Sequence, residues 1–73
     1  PNTTIKYQLP EAGFVNISIY NIVGQLVKTI VNEYKEPGYY TVQWSSNRVA
    51  SGMYFYRITS GEYSAVKKCL ILK

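Results

Sequence analysis

Apolar and polar residues alternate with a period of two along most of this chain, and no stripe with the 3.6-residue period of a helix stands out. Ile5, Tyr7 and Leu9 alternate with Thr4, Lys6 and Gln8 until Pro10 stops the run, and Glu11-Ala12-Gly13 reads as a turn. Val15, Ile17 and Ile19 then point one way while Asn16 and Ser18 point the other. Asn21-Ile22-Val23-Gly24 reads as a tight connection, with Gly24 available for a positive φ. Gln25 to Val31 is ambiguous, because Leu26, Val27, Ile30 and Val31 also fit one side of a short helix. Its Val and Ile content, between two strands, favours a strand.

Asn32 to Gly38 is a polar stretch that ends in the turn pair Pro37-Gly38. From Tyr39 to Ser45, Tyr40, Val42 and Trp44 share one face and Thr41, Gln43 and Ser45 the other. Ser46 to Ser51 reads as a loop, and Gly52 opens the next strand. Met53 to Thr59 is apolar or aromatic on both faces, as a central strand of a two-layer structure is. Ser60-Gly61-Glu62 is a hairpin turn. Tyr63 to Leu72 is the last strand, with Val66, Leu70 and Leu72 on one side and Lys67, Cys69 and Ile71 on the other. Short strands joined by Gly and Pro turns predict an all-β fold, an antiparallel sandwich or a small barrel.

Composition narrows the function more than the fold. Seventy-three residues allow one small domain, and a start at Pro1 rather than Met predicts a domain excised from a larger protein. The chain has no His and no Asp, which excludes a Ser-His-Asp triad, a Cys-His dyad and any His-based zinc site. Glu11, Glu33, Glu36 and Glu62 fall in or beside turns, where solvated charges belong, and make a poor cation cage. Hence no catalysis, no cofactor and no metal is expected. A hydrophobic content of 47% and an aromatic content of 15% separate the chain from disordered tails. No apolar run approaches the roughly 18 residues of a membrane span, so no direct membrane insertion is expected.

The lone thiol, Cys69, lies beside Lys67 and Lys68, a cationic setting that lowers a thiol pKa; read structurally, it is a small apolar residue flanked by Leu70 and Ile71. Tyr39, Tyr40, Trp44, Tyr54, Phe55, Tyr56 and Tyr63, with a net charge of +4, invite comparison with single-strand nucleic-acid or sugar platforms. The cations do not gather around these rings, so the expectation is a ring-filled core and no nucleic-acid partner. Asn2-Thr3-Thr4 and Asn16-Ile17-Ser18 match the short N-glycosylation pattern, which is common by chance.

Three stretches in order carry a resemblance: Pro1-Asn-Thr-Thr-Ile-Lys-Tyr-Gln-Leu-Pro10, Pro37-Gly-Tyr-Tyr-Thr-Val-Gln-Trp44, and Ser51-Gly-Met-Tyr-Phe-Tyr-Arg-Ile58 with a terminal Lys67-Lys-Cys-Leu-Ile-Leu-Lys73. The series resembles the C-terminal sorting domain of cargo exported by the bacterial type IX secretion system. It is also similar to the Ig-like domain of flagellar hook-assembly scaffold proteins. The resemblance implies an Ig-like sandwich of six to seven strands that serves as a transport address. In that family an attached N-terminal cargo domain crosses to the periplasm, outer-membrane machinery recognises the sorting domain, and a surface sortase commonly removes it. The expected destination is the cell surface or the medium.

Carried over by position, the family's recognition motifs fall on Pro37, Gly38 and Tyr40, on Ser51, Gly52, Tyr54, Tyr56 and Arg57, and on Lys67, Lys68, Leu70, Ile71, Leu72 and Lys73. Cys69 stands where that family usually has an aliphatic residue or Met. Each motif has a structural reading as well: Pro37-Gly38 makes a turn, Gly52 opens a strand, and Tyr54 and Tyr56 fill a core. A structural Ig-like module and a carbohydrate-binding module are the competing readings, the latter requiring two exposed coplanar rings.

Overall fold

The structure, a computed structural model, describes residues 2–72. It contains strands β1 (Asn2–Leu9), β2 (Gly13–Tyr20), β3 (Leu26–Lys35), β4 (Gly38–Ser45), β5 (Gly52–Ser60) and β6 (Tyr63–Ile71). These six strands, all paired antiparallel, form a two-stranded sheet in the order β1-β4 and a four-stranded sheet in the order β3-β2-β5-β6. The all-β sandwich expected from the alternation is therefore present, with no helix among the described residues.

The alternating positions supply both walls of the core. Ile5, Leu9 and Trp44 project from the small sheet, and Val15, Ile17, Ile19, Val31, Tyr54, Ile58 and Ile71 from the large one. Burying such side chains contributes roughly 1.5–3 kcal/mol each, set against the entropy of ordering the chain. The β1–β4 register pairs Ile5 with Val42 and Tyr7 with Tyr40, so the two apolar faces of that sheet coincide.

Two expectations are corrected. The third strand does not stop at Val31, because β3 runs on to Lys35 through most of the polar stretch and only Glu36 and Pro37 separate it from β4. Asn32, Glu33 and Tyr34 are exposed because β3 is a sheet edge, yet they pair with Asn16, Val15 and Phe14. The aromatic residues are also not a single core set. Trp44 and Tyr54 are buried and Tyr40, Phe55 and Tyr56 half-buried, but Tyr39 is 83% exposed and Tyr63 58%.

The ambiguity of Gln25 to Val31 has a geometric source. The β2–β3 register slips between Ile17 and Ser18 and again between Ile19 and Tyr20, which skips Ile30 and Val27 on β3. Such bulges twist the strand and re-aim side chains. Val27 and Ile30 therefore pack against the core together with buried Val31, a spacing that imitates a helical face.

Candidate recognition surface

Pro37, Gly38 and Tyr40 sit where β3 turns into β4, and Ser51, Gly52 and Tyr54 where the β4–β5 loop enters β5. The two sites share one construction. The Tyr40 hydroxyl donates to the Glu36 carbonyl, and the Tyr54 hydroxyl donates to the Ala50 carbonyl at 2.7 Å, each reaching back four residues. The glycine two residues before each tyrosine has a positive φ, 156° at Gly38 and 153° at Gly52. Side-chain-bearing residues rarely adopt that backbone, so glycine is required where the chain swings into the strand under its own tyrosine. The Gly-x-Tyr pattern thus fastens the start of β4 and of β5.

The rings have different surroundings. Tyr54 meets Trp44 edge-on, centroids 5.6 Å apart, while Tyr40 stacks on Tyr7 at 5.4 Å with planes inclined by 23°. Lys35 Nζ lies 5.0 Å from the Tyr40 ring centre and 2.8 Å from Glu33 Oε1. Burial pushes the Tyr7 and Tyr56 hydroxyls above their ordinary range, and the hydrogen bond to Glu33 does the same for the Lys35 ammonium.

The last motif forms β6 and the residue after it. Its strand is an edge of the four-stranded sheet, paired with β5 alone. Ile71 is a core residue at 3% exposure, whereas Leu70 and Leu72 flank it at 57% and 74%. Lys67 and Lys68 are exposed; Lys73 lies outside the described residues. Val66, Lys68 and Leu70 point away from the small sheet, and Cys69 and Ile71 toward it. Arg57, exposed on β5, has its guanidinium carbon 5.8 Å from the Tyr20 ring centre.

Cys69 is half-buried and free, packed against the core. Burial pushes its thiol upward, and Lys67 and Lys68 do not reverse this, so a protonated, slow-reacting thiol follows. The structural reading of this residue is the better one. Tyr56, on the same face of β5, pairs with Lys67 in the β5–β6 register.

Three motifs thus occupy separate places. The two Gly-x-Tyr sites are structural fasteners at opposite ends of β4, and the β6 motif is an exposed strip with one buried anchor. Sequence reasoning missed two features. A polar ladder on the outer face of the large sheet joins Ser18 Oγ to Asn16 Oδ1 at 2.8 Å and Asn16 Nδ2 to Asn32 Oδ1 at 3.3 Å, with Thr29 Oγ1 3.2 Å from Ser18 Oγ. Ser18 is only 3% exposed and its partners satisfy it. The other is the β2–β3 turn, which is more than a connection, since it displays Ile22 and Val23 largely exposed. Two aliphatic residues between Asn21 and Gly24 were the available signal.

Comparison with known proteins gives one assignment. No curated protein and no solved structure matches the chain significantly. The family model described as the secretion system C-terminal sorting domain matches residues 2–72. With a match over nearly the whole chain and a strand order that places the terminal motif on an exposed edge, the chain belongs to the family of secretion system C-terminal sorting domains, the non-catalytic address of type IX cargo.

Proposed function

We propose that β6 and the residues after it are the part of this address that the outer-membrane export machinery reads. The observation that carries this reading is the build of the strand's end: Ile71 is locked in the core while Leu70 and Leu72 stand exposed on either side. A strand with one unpaired backbone edge offers main-chain hydrogen bonds to an incoming segment, and its exposed side chains supply selectivity. Lys67 and Lys68 add charge that guides encounter. The Gly52–Tyr54 site supports this strip by fastening the start of β5, the strand partner of β6 among the described residues. In this reading the machinery and a surface sortase are the protein partners, and the attached N-terminal cargo is delivered to the cell surface or the medium. The domain itself takes no cofactor, no nucleic acid and no place within the bilayer.

The test is an export assay in a bacterium that has the type IX machinery. A fluorescent reporter with an ordinary signal peptide carries residues 1–73 at its C-terminus behind a flexible linker. The expected result is reporter at the surface or in the medium, lost on deletion of the outer-membrane translocon and lost again with Lys68→Glu plus Leu70→Ser. Folded reporter retained in the periplasm overturns the reading in favour of a structural Ig-like module. Full export of the double variant overturns the role of β6.

A further inference from the structure

The carboxylates of this sandwich gather at one end, with Lys35 paired to Glu33 and Lys6 and Lys67 near Glu11 and Glu62, while the other end carries cations alone. Glu11 lies in the β1–β2 turn, Glu33 and Glu36 at the β3–β4 turn, and Glu62 in the β5–β6 turn. The strand registers bring these turns to one end, where β2 begins and β3 and β5 finish. The β2–β3 turn, the β4–β5 loop and the end of β6 make the opposite end. Lys28, Arg48, Arg57 and Lys68 fall in that half, and none of the four carboxylate side chains does.

The carboxylate-free end is also where aliphatic residues are left bare. Ile22 is 72% exposed, Val23 74% and Leu26 59%, and Leu70 and Leu72 are exposed at the same end, where β6 finishes. The turn that carries Ile22 and Val23 is held rigid. Asn21 Oδ1 accepts from the Val23 and Gln25 amides at 3.1 and 2.9 Å, and Asn21 Nδ2 donates to Gln25 Oε1 at 2.8 Å. The Gly24 amide closes onto the Asn21 carbonyl at 3.0 Å. Beside the turn, Tyr20, Ile22, Phe55, Arg57 and Val66 enclose a shallow depression of about 300 Å³. Leu26, Tyr20, Phe55 and Lys68 form one cross-strand row that links the turn to β6.

We propose that the β2–β3 turn and the depression beside it extend the β6 strip into a second docking surface, for an acidic, apolar segment of a protein of the export machinery. The inference rests on the reading of β6 above and extends it by naming the chemistry of the partner. Cations without carboxylates among them select a negative partner, and a preorganised turn loses little entropy when its aliphatic side chains are buried. A concavity beside an unpaired strand edge fits a protein segment, which supplies both a side chain and a backbone, better than it fits the plane of a bilayer. The far end, where Lys35 offsets Glu33 and Lys6 and Lys67 stand near Glu11 and Glu62, offers the same partner no comparable positive field.

The export assay tests this with variants that leave β6 intact. Ile22→Ser with Val23→Ser removes the aliphatic tip, and Lys28→Glu with Arg48→Glu reverses the charge. Glu11→Lys with Glu62→Lys is the control at the other end. All are made at exposed positions, and melting curves check that each folds as the native domain does. The expected result is export reduced at least about tenfold by each of the first two pairs and unchanged by the control. Native export by folded tip and charge variants, with the β6 variant still blocked, overturns this inference alone. A native domain that carries no reporter overturns the sorting reading and this inference together. Binding to phosphatidylglycerol vesicles that the tip variant abolishes, with export unimpaired, reassigns the surface to lipid and also overturns it.

Discussion

The ring of Trp44 meets the ring of Tyr54 edge-on across the space between the two sheets, with centroids 5.6 Å apart and planes at 72°. Trp44 comes from β4 and Tyr54 from β5, so the contact ties the two-stranded sheet to the four-stranded one. Edge-to-face rings contribute about 0.5–1.5 kcal/mol beyond the area they bury. At this contact the Tyr54 hydroxyl also secures the loop that joins the same two strands.

Separating ring from hydroxyl gives the first prediction. Tyr54→Phe keeps the ring and loses the bond to the Ala50 carbonyl, which should cost about 1 kcal/mol. Tyr54→Ala removes a ring that is 8% exposed and should cost about 3–5 kcal/mol. For a domain this small the second loss approaches the whole stability. Urea unfolding followed by Trp44 fluorescence distinguishes the two; equal losses would show that the hydroxyl, not the ring, is the fastener.

Gly52→Ala isolates backbone strain from crowding. A Cβ at Gly52 meets nothing within 4 Å, but the residue sits at φ +153°. The substitution should therefore cost about 1–3 kcal/mol although there is room for the methyl group. A melting temperature equal to that of the native domain would mean that the backbone relaxes there without penalty.

Alkaline pH should weaken the fold. Burial raises the Cys69 thiol from its ordinary 9.0, and burial chiefly raises the Tyr7 and Tyr56 hydroxyls from 10.0. Between the unfolded and folded values the native state holds more protons, so stability falls as pH rises. The contribution is complete below about pH 9 and is lost progressively above it, as the unfolded chain deprotonates first. Melting temperatures at pH values of about 7, 9 and 11 should be flat over the first interval and drop over the second. Cys69→Val should reduce the early part of the drop.

Much of this architecture is legible in the residue order, and the exceptions have physical causes. β1, β2 and β4 show clean alternation because each has one face on the core, as Ile5, Ile17 and Trp44 record. The second half of β3 looks like a polar loop because an edge strand exposes most of its side chains, and hydrogen-bonded pairing with β2 leaves no mark in hydropathy. The helix-like spacing of Val27, Ile30 and Val31 comes from two bulges, which no period anticipates. For the candidate site, the resemblance located the motifs but gave Gly-x-Tyr and β6 equal standing. Hydrogen bonds from Tyr40 and Tyr54 to their own turns distinguish fasteners from surface, and such bonds depend on geometry. The cationic end is not legible in the residue order because Lys28, Arg48 and Lys68 are far apart in sequence and only the strand topology puts them at the same end.

The rigidity of the β2–β3 turn rests on one residue. Asn21→Ala removes three side-chain hydrogen bonds, two of them to turn amides. Because the turn is exposed and water replaces part of what is lost, the cost should be about 1–2 kcal/mol rather than the sum of three full bonds. Amide exchange at Val23 and Gln25 should accelerate by at least about tenfold while β5 amides keep their protection. Unchanged exchange would place the stiffness of the turn in Gly24 and the backbone alone.

Neighbouring residues at the end of β6 should separate stability from address. Ile71 is a core side chain at 3% exposure, so Ile71→Ala should cost about 2–4 kcal/mol and lower export by unfolding the domain. Leu70 is 57% exposed on the opposite face, so Leu70→Ser should change stability by no more than about 0.5 kcal/mol. If β6 is read by the machinery, Leu70→Ser blocks export while melting as the native domain does. Removing Leu70 to Lys73 together confounds the two effects, because it takes the Ile71 anchor with the exposed strip. Lowering the growth temperature supplies the check: it should restore export to Ile71→Ala, which fails through folding, and leave Leu70→Ser blocked. Rescue of both variants by cold would mean that this end of β6 contributes to export through stability alone.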